Sequence, residues 1–134
     1  MKKYVYQMPD SIMACHESEL NGITSFRFML CNGKGYVRLY IYNDDRKHAY
    51  IEGLSVEIGE RCKSIGTTLM NACEGTAFNM GVEKVLLRCE GSSPYWLYDW
   101  YKRRGYKRLP VTMLSPTECD GENDWMEINM SEHE

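Results

Sequence analysis

The sequence predicts an α+β fold, a mixed α/β sheet carrying two helices. Three observations lead there. A series of short β-rich runs fills the first half of the chain. An amphipathic stretch from Ile65 to Met80 then places Ile65, Leu69, Ala72, Cys73, Thr76 and Met80 on one helical face, with Gly81 as its stop. After it comes Val85-Leu86-Leu87, the nearly continuous apolar centre expected of a strand buried in a parallel pairing. An antiparallel meander followed by helix, strand, helix, strand and strand is the order of such a sheet.

In chain order, Tyr4 to Met8 reads as a short strand closed by Pro9. Asp10 can cap a brief helix through Leu20, with Asn21-Gly22 ending it. Phe26 to Leu30 and Tyr36 to Tyr42 form a hairpin around Asn32-Gly33-Lys34-Gly35. Asp44-Asp45-Arg46-Lys47 makes the next turn, and residues 49–57 are the third strand of the meander. After the helix at 65–80, Val82 to Cys89 forms the buried strand. Ser93-Pro94 starts the second helix with a cap and an N1 proline, and Gly105 ends it. Tyr106 to Leu109 and Trp125 to Met130 close the chain as strands, separated by an irregular loop holding Pro110, Pro116 and Gly121.

The bulk properties bound the function. The 134 residues are 43% hydrophobic and 26% charged, as in one globular domain spanning residues 1–134. A net charge of −3 without a long single-sign run argues against a nucleic-acid partner. No apolar run reaches the roughly 18 residues of a membrane span, and the first nine residues lack a signal-peptide core. The expectation is a cytoplasmic protein with no membrane partner. Cys15, Cys31, Cys62, Cys73, Cys89 and Cys119 are scattered without a CxxC pair, so reduced thiols are expected. His16, His48 and His133 lack ligand spacing, and no metal is expected.

Chemistry concentrates in Arg61-Cys62-Lys63-Ser64-Ile65-Gly66-Thr67, between a strand and a helix. A basic, small-residue turn feeding a helix start presents backbone N–H groups and the positive end of the helix dipole to an anion. Other phosphate motifs fail. There is no GxxxxGK followed by Ser or Thr, and Gly33-Lys34-Gly35 lies in a hairpin and lacks the third glycine of a dinucleotide turn.

That turn resembles the coenzyme A motif Gln/Arg-x-x-Gly-x-Gly/Ala of the GNAT N-acetyltransferase superfamily, with Ser64 at the first glycine position. Leu54-Ser55-Val56 stands where the family places its fourth strand. Tyr101-Lys102-Arg103-Arg104-Gly105-Tyr106 resembles its second motif, Tyr-x-x-x-Gly-Phe, and Asp124-Trp125-Met126-Glu127-Ile128 is similar to its last strand. The match covers roughly residues 36–130. The resemblance implies a GNAT-like acyl-CoA N-acyltransferase fold whose short N-terminal region has room for one small helix where two are usual. It implies acetyl-CoA as co-substrate and no metal. The acceptor is a primary amine of a small molecule or a protein, attacking directly in a ternary complex. Homodimers are common in the family.

Carried onto this chain, the resemblance makes Leu54, Val56, Arg61, Cys62, Lys63, Ser64, Ile65, Gly66 and Thr67 the coenzyme A residues. Arg61 and Lys63 supply charge, the amides of Cys62, Ser64, Gly66 and Thr67 hold phosphate oxygens, and the Val56 amide faces the thioester carbonyl. Tyr101 is the candidate acid for the departing thiolate, against a plain packing role in a helix that also holds Tyr95, Trp96, Tyr98 and Trp100. Glu52 is the candidate base, against a solvated strand edge; Glu90 is the second choice, and Glu57 and Glu60 read as surface charges. The acceptor side is expected to be lined by the N-terminal helix, the turn at 31–36 and the loop at 110–124. A non-catalytic acyl-CoA-binding or interaction module on the same fold is the alternative.

Overall fold

The computed structural model describes residues 6–45, 47–56, 65–90, 95–108 and 123–130, with backbone alone at Cys89, Glu90, Tyr95, Trp96, Asn123 and Asp124. The chain forms β1 (Ile12–Leu20), β2 (Ile23–Leu30), β3 (Gly35–Tyr42), β4 (His48–Val56), α1 (Ile65–Asn79), β5 (Lys84–Glu90), α2 (Tyr95–Arg103), β6 (Lys107–Arg108) and β7 (Asn123–Asn129). The seven strands make one sheet in the order β1-β2-β3-β4-β5-β7-β6. Only β4 and β5 run parallel, joined through α1; the other neighbours are antiparallel. The expected mixed α+β sheet is the observed one.

One sheet face builds the core. Val37, Leu39 and Ile41 of β3, Ala49 and Ile51 of β4, Val85 and Leu87 of β5, and Met126 and Ile128 of β7 all point there and are buried. Against them α1 buries Leu69, Met70, Ala72, Cys73 and Ala77. The apolar face read from the sequence is therefore real but too narrow, and Met80 lies beyond the helix with its side chain exposed. Helix α2 packs beside α1: Arg104 just past its end donates to Asn71 Oδ1 and Glu74 Oε1, each at 2.8 Å, and Tyr106 Oη donates to Glu74 Oε2 at 2.8 Å. Both described helices thus cover one face. The opposite face carries the alternate strand positions, including Arg38, Tyr40, Tyr42, Tyr50, Glu52, Leu86, Arg88 and Trp125, which are half-buried or exposed.

The N-terminal region corrects the sequence reading. Residues 12–20 form an edge strand, not a helix, and residues 6–8 carry no regular structure. Asn21 and Gly22 sit at φ 54° and 76° and join Leu20 to its partner Ile23. Two successive left-handed residues make the type I′ hairpin turn that matches strand twist, for which Asn-Gly is the preferred pair. Asn-Gly also suits a helix C-terminus, which is why the two readings competed. Tyr6 is tied to the far end of α1: its N–H donates to Asn79 Oδ1 at 3.0 Å, and Asn79 Nδ2 donates to its carbonyl at 2.9 Å. Gly75 is needed at that seat, because a Cβ there would run into the Tyr6 ring.

The α1–α2 junction has a consequence for pH. Burial first, then the Glu74 charge, pushes the Cys73 thiol well above its ordinary 9.0, with Arg104 opposing. Burial first, then the Glu74 carboxylate that accepts its hydrogen bond, pushes the Tyr106 phenol well above 10.0. Both folded-state values are raised, so the unfolded chain loses these protons first as pH rises. Their stabilisation is complete below the unfolded values and declines above them. The urea midpoint is expected to hold steady from about pH 7 to 8.5 and to fall above about pH 9. A level profile to about pH 11 would contradict this placement of the two groups.

Candidate functional site

The pairing of β4 with β5 runs His48↔Lys84, Ala49↔Val85, Tyr50↔Leu86 and Ile51↔Leu87, and there it stops. β4 nevertheless continues to Val56 and β5 to Glu90. The two central strands therefore part in mid-sheet and leave a V-shaped opening at their C-terminal ends. The cause is local. Between the pairs Arg38↔Glu52 and Tyr36↔Ser55, β4 spends one more residue than β3, a β-bulge, and Gly53 takes φ 71° there. A bulge bends its strand and increases its twist, and glycine reaches positive φ without the steric cost other residues carry. The bulge also shifts side-chain parity. Ala49 and Ile51 point to the core before it, and Leu54 and Val56 pack against the core after it.

The opening lies beside the start of α1. Val56 pairs with Gly35, and a Cβ at Gly35 would sit 3.2 Å from Leu69 Cδ1 and 3.3 Å from Ile65 Cγ2, so the first turns of α1 rest on this end of β3. That first turn holds no acidic residue, so no carboxylate of its own offsets the positive end of the helix dipole. Gly66 packs against Trp100 of α2, whose ring would lie 3.5 Å from a Cβ at that position. Ile65 is thus placed beside the end of β3 that pairs with Val56, while Leu54 and Val56 pack against the core. Arg61, Cys62, Lys63 and Ser64 lie outside the described residues, as do Glu57, Glu60 and most of the loop expected to line the acceptor.

Tyr101 is buried, 6% exposed, with its ring edge-on to Trp100 at 5.3 Å and to Tyr106 at 6.0 Å. It stands on the helix-covered side, on the same helix as the residue that meets Gly66. Glu52 stands on the other face: its cross-strand partner is Arg38, one position from the core residues Leu39 and Ile51. Its side chain is exposed. Glu17 bonds Arg27 at 3.0 Å and pairs with Arg38 at 3.4 Å, while no ion pair among the described residues holds Glu52. The candidate acid and the candidate base therefore lie on opposite sides of the sheet. Glu90 contributes backbone to β5 opposite Asn123.

Sequence reading missed the aromatic floor on the second face. Tyr40 stacks with Tyr50 at 6.2 Å, Tyr50 meets Trp125 at 5.3 Å, and the Arg88 guanidinium lies 5.4 Å over the Trp125 ring. Alternation in Tyr36-Val37-Arg38-Leu39-Tyr40-Ile41-Tyr42 could have exposed half of it, because a period of two sends the tyrosines and the valine–leucine–isoleucine set to opposite faces. An isolated glycine within a strand pattern likewise marks a bulge. Among the described residues no group of His, Cys, Asp or Glu could hold a metal ion, and no helix is long and apolar enough to cross a membrane.

Comparison with known proteins agrees with this geometry. Residues 34–106, more than half of the chain, match the sequence profile described as the Acetyltransferase (GNAT) family. No curated protein matches the chain. Among solved structures, an acetyltransferase of the GNAT family from Staphylococcus aureus superposes with a TM-score of 0.65 at 15% identity, covering 81% of this chain and 68% of that one. The PaiA N-acetyltransferase of Thermoplasma acidophilum, solved in complex with coenzyme A, gives 0.60 at 18% identity over 81% and 61% of the two chains. A mutant spermidine N-acetyltransferase from Vibrio cholerae gives 0.62 at 18% identity over 85% and 69%. At these identities the likeness is one of fold.

Proposed function

The chain belongs to the GNAT acetyltransferase family, and on that premise we propose that it transfers an acetyl group from acetyl-CoA to a primary amine by direct attack in a ternary complex. The observation that carries the reading is the parting of β4 from β5 beyond Ile51 and Leu87, next to the uncharged first turn of α1. A slot in mid-sheet with a helix N-terminus at its edge suits a long chain ending in a pyrophosphate. The residues fit that ligand. Gly66 leaves backbone accessible, Leu54 and Val56 present an extended strand, and Arg61 and Lys63 add positive charge in the adjoining sequence.

Acetyl-CoA supplies an activated acyl group as a thioester; the remaining work belongs to the chain. An amine with a pKa near 10.4 costs about 4.6 kcal/mol to deprotonate at pH 7, at roughly 1.36 kcal/mol per unit. The Glu52 carboxylate, on the open face, takes that proton directly or through a water. The freed nitrogen forms a bond to the carbonyl carbon, and as the resulting adduct collapses the carbon–sulfur bond breaks and the nitrogen gives up its second proton to solvent. The Val56 amide donates to the carbonyl oxygen as negative charge gathers on it. The Tyr101 phenol gives its proton to the leaving thiolate.

The test is transfer itself. The purified protein, acetyl-CoA and a panel of amines are expected to release free coenzyme A only when an acceptor is present, with the acetylated amine identified by mass spectrometry. Saturable acyl-CoA binding with no turnover on any amine would favour a non-catalytic acyl-CoA-binding module instead.

A further inference from the structure

We infer that the acceptor is a monoamine on a flat aromatic body, its ammonium received by Glu52 and its ring laid on a floor made by Tyr40 and Tyr50 beside Trp125. This rests on the transferase reading and names the substrate class of the same opening.

The placement follows from register. Ile51↔Leu87 is the last rung joining β4 to β5, and both residues are buried on the helix side. Glu52, the next residue of β4, points to the open face where the strands begin to part, and its side chain is exposed. Tyr50 lies two residues earlier on the same face and pairs across strands with Tyr40. A rise of about 3.4 Å per residue sets Glu52 and Tyr50 about 7 Å apart along the strand, within reach of a ring that carries its amine on a short tether. The carboxylate and the ring are close enough to interact: burial first, then the Glu52 charge, raises the Tyr50 phenol above 10.0.

The rings select the body of the ligand. Tyr40 and Tyr50 are near-parallel, 25° between planes with centroids 6.2 Å apart, and the Trp125 ring tilts against Tyr50 at 5.3 Å and 45°. Rings so far offset leave part of each face uncovered, and both tyrosines are only half-buried with no described helix over them. A third ring joins such a set in offset or edge-on contact, which an aliphatic chain cannot reproduce. The same faces attract an ammonium within about 6 Å of their centroids. Charge selects the number of amines. Arg27 and Arg38 are both engaged by Glu17, and no ion pair joins Arg38 to its cross-strand neighbour Glu52. Glu127, on the same face, stands opposite Lys107. Glu52 is thus one exposed carboxylate set against aromatic faces, and it suits one ammonium. A polyamine would ask for a second carboxylate and would leave the rings without a partner.

Initial rates with acetyl-CoA are compared for phenylethylamine, butylamine, spermidine and a short aliphatic peptide bearing a free N-terminus. In the wild-type protein the ratio of kcat/KM for phenylethylamine over butylamine is expected to be about 10 or more, the worth of a ring contact with the apolar area it covers. Tyr50→Leu, which keeps an apolar side chain without the ring, should bring that ratio below about 3, through KM rather than kcat. Tyr50→Phe keeps the ring and should keep the ratio, which separates a face contact from a bond to the hydroxyl. A wild-type ratio under about 10, or equal or faster turnover of spermidine or peptide, overturns the inference and leaves the transferase reading standing. A ratio unchanged in folded Tyr50→Leu also overturns it, because the ring then binds elsewhere. Absence of turnover on every amine overturns both readings. Should Tyr50→Leu fail to fold, the wild-type ranking still decides.

Discussion

Tyr101→Phe is expected to lower kcat on the order of 100-fold or more, the usual worth of a positioned proton donor, while acetyl-CoA binding stays within a few fold of the parent. The ring is buried between Trp100 and Tyr106, and phenylalanine fills the same space without the hydroxyl. A pure packing role predicts the reverse pattern, with stability changed and kcat retained. The distinction is sharpest with acetyl donors of different thiol acidity: a thiol that leaves easily needs less protonation and should lose less rate in the variant. Steady-state kinetics with thermal unfolding of both proteins reads both outcomes. A kcat unchanged within about 3-fold would return Tyr101 to the core and leave the leaving-group proton to water.

Arg104→Ala is expected to destabilise the fold by about 3–5 kcal/mol, the cost of removing one partner of a buried ion pair. Arg104 and Glu74 are only 14% and 17% exposed at the side chain, and their 2.8 Å contact joins α2 to α1. The substitution strands the Glu74 carboxylate with the Tyr106 hydroxyl as its remaining described partner. It also removes the guanidinium that lies 5.4 Å over Trp100, the residue against which Gly66 packs. A domain of ordinary stability holds about 5–15 kcal/mol, so the loss is a large fraction of the whole. Adding Glu74→Gln should recover part of it, because the stranded charge is then gone. Urea unfolding of the single and double variants measures both; a cost under about 1 kcal/mol would mean that water already serves the pair.

The elements that sequence rendered legible are those with a strong period or a hard stop. β3 alternates cleanly, β5 has an unbroken apolar centre, and α1 ends where Gly81 supplies φ 82° just beyond it. β1 was illegible for a physical reason. After Ile12 its residues are all exposed, so no apolar alternation marks it, and backbone pairing to β2 is what makes it a strand. Reading Asn21-Gly22 together with the β-rich Ile23-Thr24-Ser25-Phe26 would have favoured the hairpin, since a helix end does not require a strand directly after it. At the candidate site, the turn at 61–67 and Tyr101 are readings from local motifs, and Arg61 to Ser64 lie outside the described residues. The parting of β4 from β5 is not legible in this way, because it is created by the parallel register of the two strands and by the point at which that register ends. No local spacing encodes that. The correction at the N-terminus removes the helix expected to line the acceptor: the β1–β2 hairpin forms the edge of the sheet instead.

The account turns on one binding event, and unfolding in the presence of acetyl-CoA tests it most directly. A ligand that binds only the folded state stabilises it by about 2.7 kcal/mol at a hundred times its Kd. The melting temperature is expected to rise with acetyl-CoA and with coenzyme A, and to approach a logarithmic dependence on concentration. Gly66→Val, which places a side chain between the first turn of α1 and Trp100, should weaken the response relative to the variant's own baseline. A melting temperature indifferent to acetyl-CoA, coenzyme A and longer acyl-CoAs at millimolar concentration would contradict the placement of a coenzyme A site between β4 and α1.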